Sequence, residues 1–581
     1  MAPVTSKLRL WTGKNACTTL IGLSLLMAGQ SPKPLRFEIS FPASLRSAPV
    51  DGRVLIIIST KKEQEPRMQI GESLDTQQFF GIDAEGLAPG HAAVINESAQ
   101  GYPRESLRDV PDGEYYVQAV LNVYETFHRA DGHTLKFHMD QGEGQHWNVS
   151  PGNLISEPRK LRIERSSGAP IKIEMTKTIA PIAPPIDTKY VKHFRVESKL
   201  LSKFWGRPMY IGGVILLPEG FEEHKNARYP VMYYQGHFSA SFSTPVEFRE
   251  QPPTPDLKED DRLKAEYSYK FYQDWTSGRL PHMLIVSIQH ANPFYDDSYA
   301  VNSANVGPYG DALIEEFMPY VEKNYRAIGE PWARVLYGGS TGGWEALAQQ
   351  VFYPDVFNGS WCDCPDPVDF RAYQTMDIYK DKNAYWMDAD WKMVPRPSTR
   401  QTDGMLISML RDDARMEATL GSHGRSGDQL DIWQAVYSPV GPDGYPKPIF
   451  DKSTGAIDHE VAEYWREHYD LRYLMERDWK TLGPKLIGKL HVKVGTRDTY
   501  YLDRAVHLLQ DFLESTKEPG RGPYYGGDFD YGPDQPHCYS GDPTVPVRIS
   551  RLTINQRYMP QMEARMLKTA PKGADVKSWK Y

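Results

Sequence analysis

The sequence predicts an all-β, sandwich-like domain followed by a larger α/β domain on a mostly parallel sheet, and three observations carry this. From about residue 190, near-continuous apolar runs recur at strand length ("MYIGGVILLP", "YPVMYYQG", "HMLIVSIQ", "RVLYGG", "KLHVKVG"), as expected of strands buried on both faces. Between them, helical spacing places Leu313, Phe317 and Val321 on one face of "DALIEEFMPYVEKNY". The same spacing aligns Trp344, Leu347 and Val351 in "GGWEALAQQVF". Before residue 177 the pattern differs: "RVLIIIST" and "EYYVQAVLNVY" are β-branched and aromatic, "KLRIE" and "IKIEM" are shorter strands, and no long helical period is present.

Taken in order, Lys7, Arg9 and Lys14 precede the short apolar run "ACTTLIGLSLLMAG", which reads as an export signal over 1–30 with a cut near Gln30. The expected location is secreted or periplasmic. The run is too short to span a bilayer, and no other segment reads as an integral membrane span. Residues 31–177 form the expected β domain. The Pro-rich "TIAPIAPPID", 178–187, should run as a stiff extended linker, because proline fixes φ and disfavours helix. Residues 188–581 form the α/β domain, in which Pro319 should bend or shift its helix. Residues 370–485 interrupt the strand–helix rhythm with aromatic and charged residues. They read as an insertion over the strand ends, where open α/β sheets bind ligands: a lid, or extra helical bulk.

A net charge of −8, with both signs interspersed, excludes a nucleic-acid footprint. Loss of the signal removes Cys17 and leaves Cys362, Cys364 and Cys538. A Cys364–Cys538 bridge would suit an oxidising compartment; the alternative is three buried thiols. "CDC" lacks a second ligand cluster at zinc spacing, so no metal is expected.

The chemistry rests on "RVLYGGSTGGWEALAQQ". Gly338-Gly339-Ser340-Thr341-Gly342 matches G-x-S-x-G, a pattern that glycine and serine abundance alone produces in roughly a quarter of chains this long. Position adds weight: a buried strand precedes it and a helix follows, which is the arrangement of a nucleophile elbow. The plainer reading is a βα turn whose serine caps the helix. A serine hydroxyl needs a base and the base an orienting carboxylate, in the chain order Ser, Asp, His. Asp498 lies in the loop after "KLHVKVG"; Asp503, further along at or inside the next helix, is its rival. His537 follows in the loop "YGPDQPHCYSGD", whereas His507 falls within a predicted helix. The oxyanion donors should be the Thr341 N–H and the turn at Gly236 and His237, or Phe238 beside it.

With these motifs ("GGSTGGWEA", "VGTRDTYY", "DQPHCYSG", "YPVMYYQGHF") residues 190–568 resemble the putative-esterase (esterase D-like) family of α/β-hydrolases, which includes feruloyl esterases, S-formylglutathione hydrolases and mycolyltransferases. The block around "DDSYAVNSANVGPYGDA" resembles an exported subgroup with an N-terminal β domain. Asn302, Asn305 and Tyr309 within it either line the pocket or cap and pack the next helix. Asp366, after the following strand, is an alternative acid near the active edge. The resemblance implies a serine hydrolase that cleaves a small-molecule or polysaccharide-linked carboxylic ester through an acyl-enzyme, with no cofactor. Acyl transfer, peptidase chemistry and a non-catalytic carbohydrate- or partner-binding role are the alternatives. Oligomeric state is not legible.

Overall fold

The computed structural model of the protein describes residues 34–237 and 248–581; the expected export signal and Phe238 lie outside them. The central sheet has eight strands: β1 (Val191–Ser198), β2 (Met209–Leu216), β3 (Val231–Gln235), β4 (Leu284–Gln289), β5 (Arg334–Gly339), β6 (Ser360–Asp363), β7 (Leu490–Gly495) and β8 (Asp528–Gly532). Their spatial order is β1-β2-β4-β3-β5-β6-β7-β8. β2 runs antiparallel to both neighbours, and every pairing from β4 to β8 is parallel. This is the mostly parallel sheet of an α/β protein. β5 sits near its centre, so the turn after β5 opens at the middle of the carboxyl edge.

Helix α1 (Glu259–Thr276) joins β3 to β4. It escaped the sequence reading because its buried apolar residues, Ala265, Phe271 and Trp275, are diluted by charged ones. The helix around Pro319 is α-helical over Tyr309–Ala312 and Met318–Asn324, with a π-helical turn at Leu313–Phe317 between them. Proline has no N–H to give to the carbonyl four residues back, and the wider turn absorbs that missing bond. Helix α2 (Thr341–Phe352) follows β5 and differs from the amphipathic expectation: Thr341 to Val351 are all buried, Glu345, Gln349 and Gln350 included. One side meets the sheet, and the other is covered by the insertion, whose Tyr437 ring lies 5.2 Å from that of Trp344.

The insertion lies between β6 and β7. It holds two hairpins (Trp386–Ala389 with Lys392–Pro395, Pro397–Arg400 with Leu406–Met409), helices α3 (Leu410–Leu420) and α4 (Gln429–Tyr437), and the helices His459–His468 and Leu471–Leu486.

Upstream, an eight-stranded antiparallel sheet centred on Val50–Ser59 and Gly113–His128 faces a three-stranded sheet. Val54, Ile56, Ile58, Val117 and Leu121 fill the core between them. The alternate residues Leu55, Ile57 and Val120 are also buried, against Met416 and Leu420 of α3. Burial of both faces explains why "RVLIIIST" is an unbroken apolar run. Arg53 adds a polar anchor: its guanidinium donates to Thr419 O at 2.9 and 3.1 Å and to Ala418 O at 3.1 Å, at the carbonyl end of α3. Residues 179–188 have no regular structure.

Candidate active site

Ser340 stands at the turn between β5 and α2 with φ 60° and ψ −126°, a strained conformation for a non-glycine residue. Close packing demands the flanking glycines. A Cβ on Gly338 would lie 2.0 Å from Gly342 O, and one on Gly342 would lie 2.2 Å from Gln235 O. The second contact seats the turn directly against the end of β3. The Ser340 side chain makes no capping bond to α2. Its Oγ instead lies 2.9 Å from His537 Nε2.

His537 Nδ1 is 2.8 Å from Asp498 Oδ2. The other oxygen of Asp498 accepts from the amides of Tyr500 (2.9 Å) and Leu502 (3.3 Å), and the carboxylate is fully buried. These bonds orient the acid, and Nδ1–H donation to it leaves Nε2 free to accept from the serine hydroxyl. Asp503 is instead the first residue of helix Asp503–Ser515 and pairs with Arg400 at 3.2 Å. Burial opposes charge on His537, but Cys538 and Asp498 outweigh it and raise its pKa well above the ordinary histidine value.

Of the two readings open to the cysteines, the structure has the buried thiols and no Cys364–Cys538 bridge. Both are free buried thiols, and Cys364 Sγ donates to Cys538 Sγ across 2.8 Å. That hydrogen bond is the leading cause pulling the Cys538 pKa well below the usual thiol value.

A second histidine lies on the other side of the elbow. His237 Nδ1 is 3.1 Å from Asp296 Oδ1 and 3.1 Å from Asp297 Oδ2, and its Nε2 is 3.2 Å from Thr341 Oγ1. Burial works against the imidazolium, yet the two carboxylates raise its pKa well above normal. Asp296, pushed the other way by burial, rises to about 7. Thr341 Oγ1 donates onward to Asp366 Oδ2 (3.1 Å), which also accepts from Tyr299 (2.6 Å), Trp433 (3.2 Å) and Gln429 (3.3 Å). Asp366 therefore holds Thr341 in place, and no bond joins it to His537 among the described residues. Thr341 is the first residue of α2, so its N–H has no partner within the helix and stands beside the Gly236–His237 turn.

Three expected pocket residues are elsewhere. Asn305 is fully buried and donates to Ala435 O and Ser438 O. Tyr309 is buried with its hydroxyl on Ala291 O at 3.0 Å. Asn302 accepts from the Asp311 amide at 3.0 Å. Asn302 caps and Tyr309 packs the helix that follows, whereas Asn305 is bonded to carbonyls at the end of α4.

Ser340 and His537 open into a cavity of about 350 Å³. Its lining includes His237 and Asp366 beside the elbow, Tyr500 after β7, and Trp433, Asp413 and Asp428 from the insertion. It also includes Glu72 from the N-terminal region, which sequence position gave no means of finding. Asp296 and Asp297 were missed too, although they follow β4 at the same carboxyl edge as Asp366. Two residue sets could hold an ion by ligand spacing, His237/Asp296/Asp297 and Cys364/His537/Cys538. The hydrogen bonds above already engage the histidine of each.

Residues 206–393 match the model of the putative esterase family. No curated protein matches the chain at significance. Among solved structures, a ferulic acid esterase is similar at 16% identity, covering 65% of this chain and 98% of that one, with a TM-score of 0.36. An S-formylglutathione hydrolase from Agrobacterium tumefaciens is 11% identical, covers 65% and 98%, and has a TM-score of 0.32. A fluorophosphonate-binding serine hydrolase of Staphylococcus aureus is 14% identical over 65% and 98%, with a TM-score of 0.31. The segment that matches the putative-esterase model spans β2 to β6 and contains the Ser340 turn.

Proposed function

We propose that this ester hydrolase works through Ser340, His537 and Asp498 and an acyl-enzyme. The observation that carries the reading is the continuous chain of contacts from Asp498 Oδ2 through His537 (2.8 Å) to Ser340 Oγ (2.9 Å). Ser340 Oγ attacks the ester carbonyl while His537 Nε2 takes its proton. The carbonyl oxygen becomes an oxyanion, stabilised by the Thr341 N–H and the N–H groups of the Gly236–His237 turn. Collapse breaks the bond to the alcohol, which leaves with the proton from His537. Water then attacks the acyl-enzyme by the same path, His537 now acting as base, and releases the acid and free Ser340. Asp498 holds the tautomer and offsets the charge of the imidazolium.

Export belongs to the proposal and is supported by the basic and apolar pattern of residues 1–30. The substrate, on this reading, is a small-molecule or polysaccharide-linked ester. The test is turnover of p-nitrophenyl esters and labelling by a fluorophosphonate. Both should occur on the purified protein and be lost in Ser340→Ala. Turnover that survives this change in a folded protein would overturn the assignment.

A further inference from the structure

His237 and Thr341 share one hydrogen bond, and its direction sets the charge beside the elbow. The Thr341 hydroxyl has a single proton. Three acceptors lie in its reach: Asp366 Oδ2 at 3.1 Å, His237 Nε2 at 3.2 Å and the Tyr299 hydroxyl at 3.3 Å. The buried carboxylate is the strongest of these, so the proton goes to Asp366. His237 Nε2 then donates to Thr341 Oγ1. On the other side of the ring, Nδ1 donates to Asp296 Oδ1 at 3.1 Å. A ring that donates from both nitrogens is an imidazolium.

Asp297 leads to the same state independently. Its Oδ2 is fully buried, accepts no hydrogen bond, and stands 3.1 Å from His237 Nδ1. The one hydrogen on Nδ1 is already spent on Asp296. Charge on the ring is what compensates the Asp297 oxygen, which would be costly to bury alone. The other charges that reach His237 are those of Asp366, Glu345 of α2 and Glu72, all acidic. The neighbouring base, His290, is held neutral by burial, with its pKa lowered to about 4.

Position gives this charge a use. His237 lines the cavity together with Ser340. Its Nε2 faces Thr341, whose N–H is one of the oxyanion donors proposed above, and its own backbone belongs to the turn that supplies the other. Both aspartates lie on the opposite, Nδ1 side of the ring. The positive ring therefore stands between the oxyanion donors and its own counter-ions, with the cation nearer the place where negative charge develops. A fixed charge so placed needs no reorganisation when the oxyanion forms.

We propose that His237 is a standing imidazolium, locked by Asp296 and Asp297, whose charge stabilises the oxyanion formed at Ser340. It gives up no proton during the reaction: His537 alone carries the proton between serine, alcohol and water. The proposal rests on the esterase reading of Ser340 and adds a charged member to its oxyanion site.

Two measurements on the full-length protein test it. In protein labelled with ¹⁵N-histidine, both ring nitrogens of His237 should show the shifts of a doubly protonated ring from about pH 6 to about pH 8. His237→Gln assigns the signals by removing them, and Asp296→Asn assigns them by displacing them. A neutral ring in that range overturns the proposal. The second measurement uses a 1,1,1-trifluoro-2-alkanone, which adds to the serine as a hemiketal whose ¹⁹F shift follows ionisation of its oxygen. In the wild type that oxygen should ionise at a pH lower by about one unit or more than in His237→Gln, whose side-chain amide keeps an N–H for Thr341. The matching methyl ketone should bind both proteins within roughly threefold, because no charge develops on it. Equal ionisation in the two proteins overturns the proposal and leaves the esterase reading standing. A doubly protonated His237 in a protein that forms no hemiketal and turns over no ester would remove the esterase reading, and the oxyanion role with it.

Discussion

Two histidines flank the elbow, each with a carboxylate on Nδ1 and a hydroxyl facing Nε2. His537 joins Asp498 to Ser340, and His237 joins Asp296 and Asp297 to Thr341. The difference lies in the hydroxyl. Ser340 opens into the cavity from a strained turn, while Thr341 is fully buried and its Oγ1 is committed to Asp366. A histidine–carboxylate couple therefore does not by itself make a nucleophile. The hydroxyl must also be accessible and free of other acceptors, and only one of these two is.

The comparison can be broken from either side. Ser340→Ala or His537→Ala should lower kcat by about 10⁶-fold, measured on any turned-over ester. Asp498→Asn should cost about 10⁴-fold, because the amide favours the wrong imidazole tautomer. If His237→Asn cost as much as His537→Ala, the two assemblies would be equivalent and the assignment wrong. The expected loss is on the order of 10- to 100-fold, since His237 acts by fixing Thr341 and the oxyanion turn.

The smallest effect should be a shift in pH. Cys538 is among the groups that hold the His537 pKa up, and His537 must be neutral to accept a proton. Replacing the thiol, as in Cys538→Ser, lowers that pKa, so the acid limb of kcat/KM should move to lower pH. An unmoved or raised limb would remove Cys538 from the account.

Much of this was readable along the chain. β5, the Ser340 turn and α2 are contiguous, and Asp498 and His537 each follow a late strand or turn in the required order, so local pattern plus chain order was enough. His237 was legible as a backbone position but not as a charged side chain. Its carboxylates, 296 and 297, become neighbours only because β3 and β4 pair in parallel. Asn302, Asn305 and Tyr309 stayed divided between two roles because nearness in sequence to the active edge says nothing of which way a side chain turns. The buried polar face of α2 was invisible for a related reason: what covers it arrives from the insertion. Glu72 was beyond reach, as nothing local marks a loop residue of one region as part of another region's cavity.

The contact of the N-terminal sheet with α3 has a practical consequence. Met416 packs against Leu55, Ile57 and Val120 on one side of that helix and lines the cavity on the other. A shortened protein beginning at the Pro-rich segment would keep Ser340, Asp498 and His537 yet lose the support behind α3, the Arg53 anchor and Glu72. It could still cleave a small activated ester while having lost its selectivity. A screen on such a fragment would report the reactivity of the serine and not the preference of the whole protein.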